Sequence, residues 1–252
     1  MRKILILLML LPTLAFASAK TVVYNVTNNE ILQGSLESEE VSIASISKLM
    51  TVYTVMTAGQ DLDEKLVVTS KRTSNTHLSK GMVVTRRDLL NLALIASDNI
   101  AAITLGENYP GGNQYFVYTM NQHANELGLT HTRFVEPTGL SPMNYSTTGD
   151  IVKLSQAVSQ FDIVKNAAQQ HAVAAEIVKG KKHTKVKGNP TIKYFGHDGI
   201  VTIKTGFTHA AGFCVTMLVS AHDQLYSITM LGAKSKKERQ QFVEKSLKII
   251  NA

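Results

Sequence analysis

Ser45 and Lys48 stand three residues apart in Ser45-Ile46-Ser47-Lys48, directly before the apolar stretch Leu49-Met50-Thr51-Val52-Tyr53-Thr54-Val55-Met56. Positions i and i+3 share one face of a helix, so this spacing sets an amine beside a hydroxyl. A nucleophile there is rigidly mounted, because a helix that is apolar on nearly every side runs through a core. Two more polar islands suit a buried centre. Ser97-Asp98-Asn99 separates the apolar runs 89–96 and 100–105, and Lys204-Thr205-Gly206 ends a β-like run ahead of a turn. Small polar groups in such a setting need partners or a site to serve, because unpaired burial is costly. Each island alone occurs by chance, and a helix junction bonding its own backbone accounts equally well for Ser97 and Asn99. Their order and settings carry more, and 52 and 107 residues separate successive islands, so only the fold brings them together.

The elements that must position them are legible in outline. Residues 22–26 and 30–34 flank Asn28-Asn29 as a β-hairpin. A helix runs from Ser45 to near Gly59, and residues 65–69 form a short strand before a polar loop at 70–80. Thr85-Arg86-Arg87-Asp88 has the form of a capping box opening a second buried helix, and Thr147 with Asp150 opens another. Residues 114–127 have helical periodicity and stop at Gly128. From residue 171 the texture is β-rich, with runs at 173–178, 191–195, 200–205, 213–220 and 225–231 and a basic loop at 179–187. That loop is either a solvated hairpin tip or a contact for a wall polymer or anionic lipid. Residues 236–250 close the chain as an amphipathic helix.

The chain has 252 residues, 44% of them apolar, enough for a large core. Arg2 and Lys3, the apolar run 4–14 and Ala17-Ser18-Ala19 fit a cleavable export signal over residues 1–19, leaving a domain at 20–252. The run is shorter than the ~20 residues of a membrane span. Losing Arg2 and Lys3 lowers the net charge from +7 to +5, still suited to an anionic neighbourhood, and nucleic acid is not an expected partner of an exported protein. Cys214 is the only cysteine, so no intramolecular disulfide forms, and it reads as a buried strand residue. The histidines have no zinc-ligand spacing, and no metal or cofactor is expected.

Ser45-x-x-Lys48, Ser97-x-Asn99 and Lys204-Thr205-Gly206 resemble the three motifs of the penicillin-binding serine peptidases and their β-lactamase relatives. Lys204-Thr205-Gly206-Phe207-Thr208-His209-Ala210-Ala211-Gly212 is closer to the low-molecular-mass D-alanyl-D-alanine peptidases. Tyr109-Pro110-Gly111-Gly112, the run from Thr132 to Ser141 and Ser146-Thr147-Thr148-x-Asp150 resemble the periplasmic endopeptidase subgroup. The resemblance spans nearly the whole mature chain. It implies an α+β fold, an antiparallel sheet of N- and C-terminal strands covered by helices beside a helical subdomain, with the site in the cleft between them.

It also implies roles. Ser45 attacks a D-alanyl carbonyl to give an acyl-enzyme, and Lys48 takes its proton once burial and the Lys204 charge have lowered the Lys48 pKa. Ser97 relays a proton to the leaving amine. Asn99, Lys204, Thr205 and Gly206 bind substrate, and the N–H groups of Ser45 and Phe207 form the oxyanion site. Peptidoglycan stem peptides, cut either at a terminal D-Ala-D-Ala or at a D-Ala cross-link, are the implied substrate and β-lactams the covalent inhibitors. The implied location is periplasmic, without a stable membrane anchor once the signal is removed; the chain ends at Ala252, without the extra β-domain and terminal membrane-binding helix of several family carboxypeptidases. One departure is Glu136, where many carboxypeptidases of the family have Asn. Arg133-x-x-Glu136-Pro137-x-x-Leu140 superficially resembles the loop carrying the deacylating glutamate of class A β-lactamases, which makes a β-lactamase one alternative and a non-catalytic wall- or β-lactam-binding module another.

Overall fold

The computed structural model describes residues 18–36, 38–71 and 77–251. The expected export signal falls almost wholly outside them, as does the middle of the 70–80 loop. In chain order the elements are β1 (Lys20–Asn25), β2 (Glu30–Gly34), β3 (Val41–Ser42), a 3-10 turn (Ala44–Ser47), α1 (Lys48–Thr57), β4 (Lys65–Val67), β5 (Val83–Thr85), α2 (Arg86–Ile95), α3 (Asn99–Glu107), α4 (Gly112–Glu126), β6 (Tyr145–Ser146), α5 (Thr148–Val158), α6 (Asp162–Ala168), β7 (Val173–Lys179), β8 (Lys182–Gly188), β9 (Ile200–Thr208), β10 (Gly212–Ala221), β11 (Gln224–Ala233) and α7 (Lys236–Ile250).

The main sheet is antiparallel, in the order β2-β1-β11-β10-β9, so the first strands of the chain complete a sheet begun by the last. The middles of β10 and β11, Cys214–Val219 and Tyr226–Leu231, are buried and mostly apolar, as strands covered on both faces must be. Helices α5 and α7 pack on them, and α1 lies among α2, α3, α4 and α5. Seven of the ten residues of α1, including Lys48, are buried, so the helix bearing the first motif is the axis of the core. Cys214 is buried in β10 as expected, and burial pushes its thiol up to about 11.

The starts of α2, α5 and α7 carry side-chain caps. Thr85 accepts from the Asp88 N–H at 3.1 Å, Thr147 from Asp150 at 3.2 Å and Ser235 from Glu238 at 3.1 Å. At the end of α4, Gly128 has φ 65° and the Leu129 N–H reaches back to the Ala124 carbonyl at 2.8 Å, a Schellman closure.

Three expectations need correction. The stretch 179–187 is not a loop: β7 and β8 pair from Val173↔Gly188 to Lys179↔Lys182, and together with β4 and β5 they form a second, four-stranded sheet. The run 191–195 is not a strand, because Pro190 before it and Gly196 and Gly199 after it, at φ 77° and 78°, turn the chain instead. The α-helix expected from Ser45 starts at Lys48, and Ser45 sits in the tighter 3-10 turn before it.

Candidate functional site

The 3-10 turn sharpens the Ser45–Lys48 relation, since side chains three apart eclipse one another in that geometry. Lys48 Nζ is 2.8 Å from Ser45 Oγ, 2.8 Å from Asn99 Oδ1 and 2.7 Å from the Thr138 carbonyl. An ammonium has three hydrogens, and here each has an acceptor. The side chain is fully buried while Ser45 keeps a partly exposed face. Burial draws the Lys48 pKa from 10.5 down to about 7, against the upward pull of the Glu136 and Asp98 carboxylates.

The second island is delivered by the break between α2 and α3. Ser97 has φ 56°, a left-handed conformation that stops α2 and restarts the chain as α3 two residues later. Asp98 is the structural member of the trio. It is fully buried, with Oδ1 capping the Ala101 N–H at 3.0 Å and Oδ2 receiving the His77 N–H at 2.6 Å and lying 3.0 Å from His77 Nδ1. Asn99, the first residue of α3, thereby faces Lys48.

The third island lies on β9, the edge strand of the main sheet. Lys204 Nζ donates to Ser97 Oγ at 2.8 Å and to the Thr205 carbonyl at 2.9 Å, and Thr205 Oγ1 donates to Thr191 Oγ1 at 2.6 Å. Lys204 is buried, and its pKa is held well below that of a free lysine by burial first, then by repulsion from Lys48 and Arg239. Repulsion between the two lysines acts on both, and with burial it disfavours their being charged together. Phe207 is 48% exposed at the rim, stacked on Phe213 at 4.2 Å between ring centroids.

Gly206 and Gly139 close the arrangement. A Cβ on Gly206 would lie 2.9 Å from both Ala44 Cβ and the Ser45 nitrogen, so only glycine lets β9 come this near Ser45. A Cβ on Gly139 would lie 1.8 Å from the Ala44 carbonyl oxygen. The peptide leading into Ser45 is thus clasped between two glycines, and Ala44 holds φ 47°, a strained value for a residue with a side chain.

All three islands meet, with Ser45, Lys48 and Asn99 in one hydrogen-bonded group and Ser97, Lys204 and Thr205 in the next. A profile of the D-alanyl-D-alanine carboxypeptidase family matches residues 11–235, most of the chain. The chain belongs to that family. Within it, the D-alanyl-D-alanine endopeptidase of Escherichia coli is 33% identical over 87% of this chain and 73% of its own length, and that of Pseudomonas aeruginosa is 34% identical over the same shares. Penicillin-binding protein D2 of Listeria monocytogenes, solved in an ampicillin-bound form, superposes with a TM-score of 0.79 at 29% identity, covering 93% of this chain and 97% of that one. The Streptomyces K15 DD-transpeptidase superposes with a TM-score of 0.82 at 22% identity, covering 92% and 97%. The expected α+β, penicillin-binding fold is borne out.

Two participants were not singled out from sequence. The Thr138 carbonyl that receives Lys48 is backbone and has no residue signature. Gly139 shows only as one glycine of a loop, and nothing in its neighbours announces that the loop packs on Ala44.

Proposed function

We propose that this protein is a serine D-alanyl-D-alanine peptidase acting on peptidoglycan stem peptides, with the D-alanyl cross-link as its preferred bond. The observation that carries the reading is the buried Lys48 amine 2.8 Å from Ser45 Oγ, with a pKa of about 7. An amine that is substantially neutral near neutral pH takes the serine proton as Ser45 Oγ attacks the D-alanyl carbonyl. The N–H groups of Ser45 and Phe207 receive the oxyanion. Donors of this kind are each worth ~2.7–4 kcal/mol in other enzymes. Collapse expels the leaving amine, which takes by way of Ser97 the proton that Lys48 removed from Ser45, and leaves an ester on Ser45 that water hydrolyses.

Asn99 holds the acyl peptide while steadying Lys48, and Thr205 and Gly206 shape the β9 edge along which an extended peptide lies. Lys204 meets substrate carboxylate. A cationic Lys204 beside Lys48 repels a second positive charge and so favours the neutral Lys48 amine that acylation needs. The preference for cross-links rests on the two endopeptidase relatives at 33% and 34% identity. Residues 1–19 act as an export signal to the periplasm, where the wall is, and β-lactams acylate Ser45 as substrate mimics.

The β-lactamase alternative needs a free carboxylate to activate water. Both oxygens of Glu136 are instead taken by its own loop, Oε1 by the Gly139 N–H at 2.6 Å and Oε2 by the Thr138 N–H at 2.6 Å. The binding-module alternative does not account for the Ser45–Lys48–Asn99 and Ser97–Lys204 hydrogen-bonded groups. Digestion of purified cross-linked muropeptide dimers tests the preference. Conversion of dimers to monomers is expected; release of D-alanine alone, with dimers intact, would contradict it.

A further inference from the structure

We propose that Glu136 is the positioning residue of Lys48: its carboxylate gathers the loop 138–141 and so fixes the Thr138 carbonyl that steers the Lys48 amine toward Ser45. This rests on the reading of Ser45 and Lys48 given above. Four donors converge on the carboxylate. Oε1 accepts from the N–H groups of Gly139 at 2.6 Å and Ser141 at 3.3 Å, and Oε2 from the Thr138 N–H at 2.6 Å and the Thr138 hydroxyl at 2.5 Å. A carboxylate has acceptor sites on both oxygens for these donors, whereas an amide would turn two hydrogens toward one pair of them.

The loop is braced on its other sides. Asn144, fully buried, accepts the Val135 N–H at 2.8 Å and donates to the Glu136 carbonyl at 2.8 Å, and Thr51 of α1 donates to the Pro137 carbonyl at 2.6 Å. What this bracing delivers is a single backbone oxygen, Thr138 O, 2.7 Å from Lys48 Nζ.

The consequence follows from the valence of the amine. Neutral Lys48 has two hydrogens and one lone pair. With the hydrogens held by Asn99 Oδ1 and Thr138 O, the third direction, toward Ser45 Oγ, receives the lone pair, which is the orientation a base needs. Without a fixed Thr138 carbonyl the lone pair is free to rotate away. The charged groups around Lys48 are Glu136 from this loop, Asp98 from the α2–α3 junction with His77 behind it, and Lys204 from β9. Glu136 thus also adds a negative charge that keeps the Lys48 proton on.

Acylation by benzylpenicillin, followed in the mature enzyme between about pH 5 and about pH 9, roughly two units either side of the Lys48 pKa, separates the possibilities. Glu136→Gln is expected to slow acylation by ~10–100-fold, the usual penalty for losing the partner that orients a reacting group, and to move the acid limb to lower pH. Thr138→Val, which keeps the charge and loses one donor to it, is expected to slow acylation less and to leave the limb in place. An unshifted limb in a folded Glu136→Gln would reduce Glu136 to a loop-folding role and overturn the proposal. So would unchanged acylation with an acyl-enzyme that persists, which would make Glu136 the hydrolytic base. If Glu136→Gln does not fold, a wild-type acylation rate in Thr138→Val overturns the proposal. Failure of the wild type to acylate would instead strike the reading of Ser45 and Lys48 beneath it.

Discussion

At Lys48 burial and charge oppose each other, and burial wins: two carboxylates pull the pKa up, yet it settles at about 7. Acylation should therefore rise with pH through about 7 and level off above it, as a stopped-flow profile with a chromogenic cephalosporin would record; a rate flat across that range would remove Lys48 as the base. The glycine clasp makes a second expectation at this scale. Gly206→Ala puts a Cβ 2.9 Å from the Ser45 nitrogen, and a displacement of about an ångström at a reacting centre costs on the order of 10²-fold in rate. Penicillin acylation of that variant should fall by about this factor while its circular dichroism stays native. Side-chain chemistry made the residues of the site legible: hydroxyl, amine and amide recur in a fixed order in settings where polar groups need a purpose. Backbone groups have no such signature, so the Thr138 carbonyl was invisible.

Among the elements, those with a cap or a strong apolar period were readable, and those without either were not. Thr85 and Thr147 announced α2 and α5. β8 was missed because four of its seven residues are Lys or His and its first four positions are exposed, leaving no alternation to read. Such a lysine-rich strand is what a sheet edge needs to resist pairing with other chains. The run 191–195 misled in the opposite direction, with strand-like residues whose flanking Pro190 and Gly196 forbid extension. Two substitutions probe elements away from the chemistry. Ser235→Ala removes the cap of α7 and should lower stability by ~1 kcal/mol. Thr216→Val breaks a buried chain of hydroxyls joining Ser155 of α5 to Thr229 of β11, at 3.0 and 2.9 Å, and should lower stability by ~1–3 kcal/mol. Denaturant unfolding measures both, and both should acylate at the wild-type rate; slow acylation in either would tie these elements to the site more closely than the geometry does.

For the whole molecule, two fully buried lysines set an unusual pH dependence of stability. Lys48 titrates at about 7 when folded and 10.5 when exposed, so between those values the unfolded chain binds the extra proton. The penalty for burying the charge is complete below about pH 7 and fades as pH rises toward 10.5, and Lys204 acts in the same sense. Each lysine adds at most ~1.4 kcal/mol per pH unit to the rise in stability. Lys48→Met should lose part of that slope in urea titrations run at several alkaline pH values; an unchanged slope would place the folded pKa near its ordinary value. The same arrangement explains why the fold carries such groups at all: strain at Ala44, left-handed Ser97 and two buried amines each cost stability, and all converge on the adjoining groups of Ser45 and Ser97. That convergence is most directly tested by intact-mass spectrometry of the protein produced from Lys20 onward after exposure to benzylpenicillin. One covalent adduct on the wild type and none on Ser45→Ala is the expected result; no adduct on the wild type, or an equal adduct on Ser45→Ala, would contradict the account.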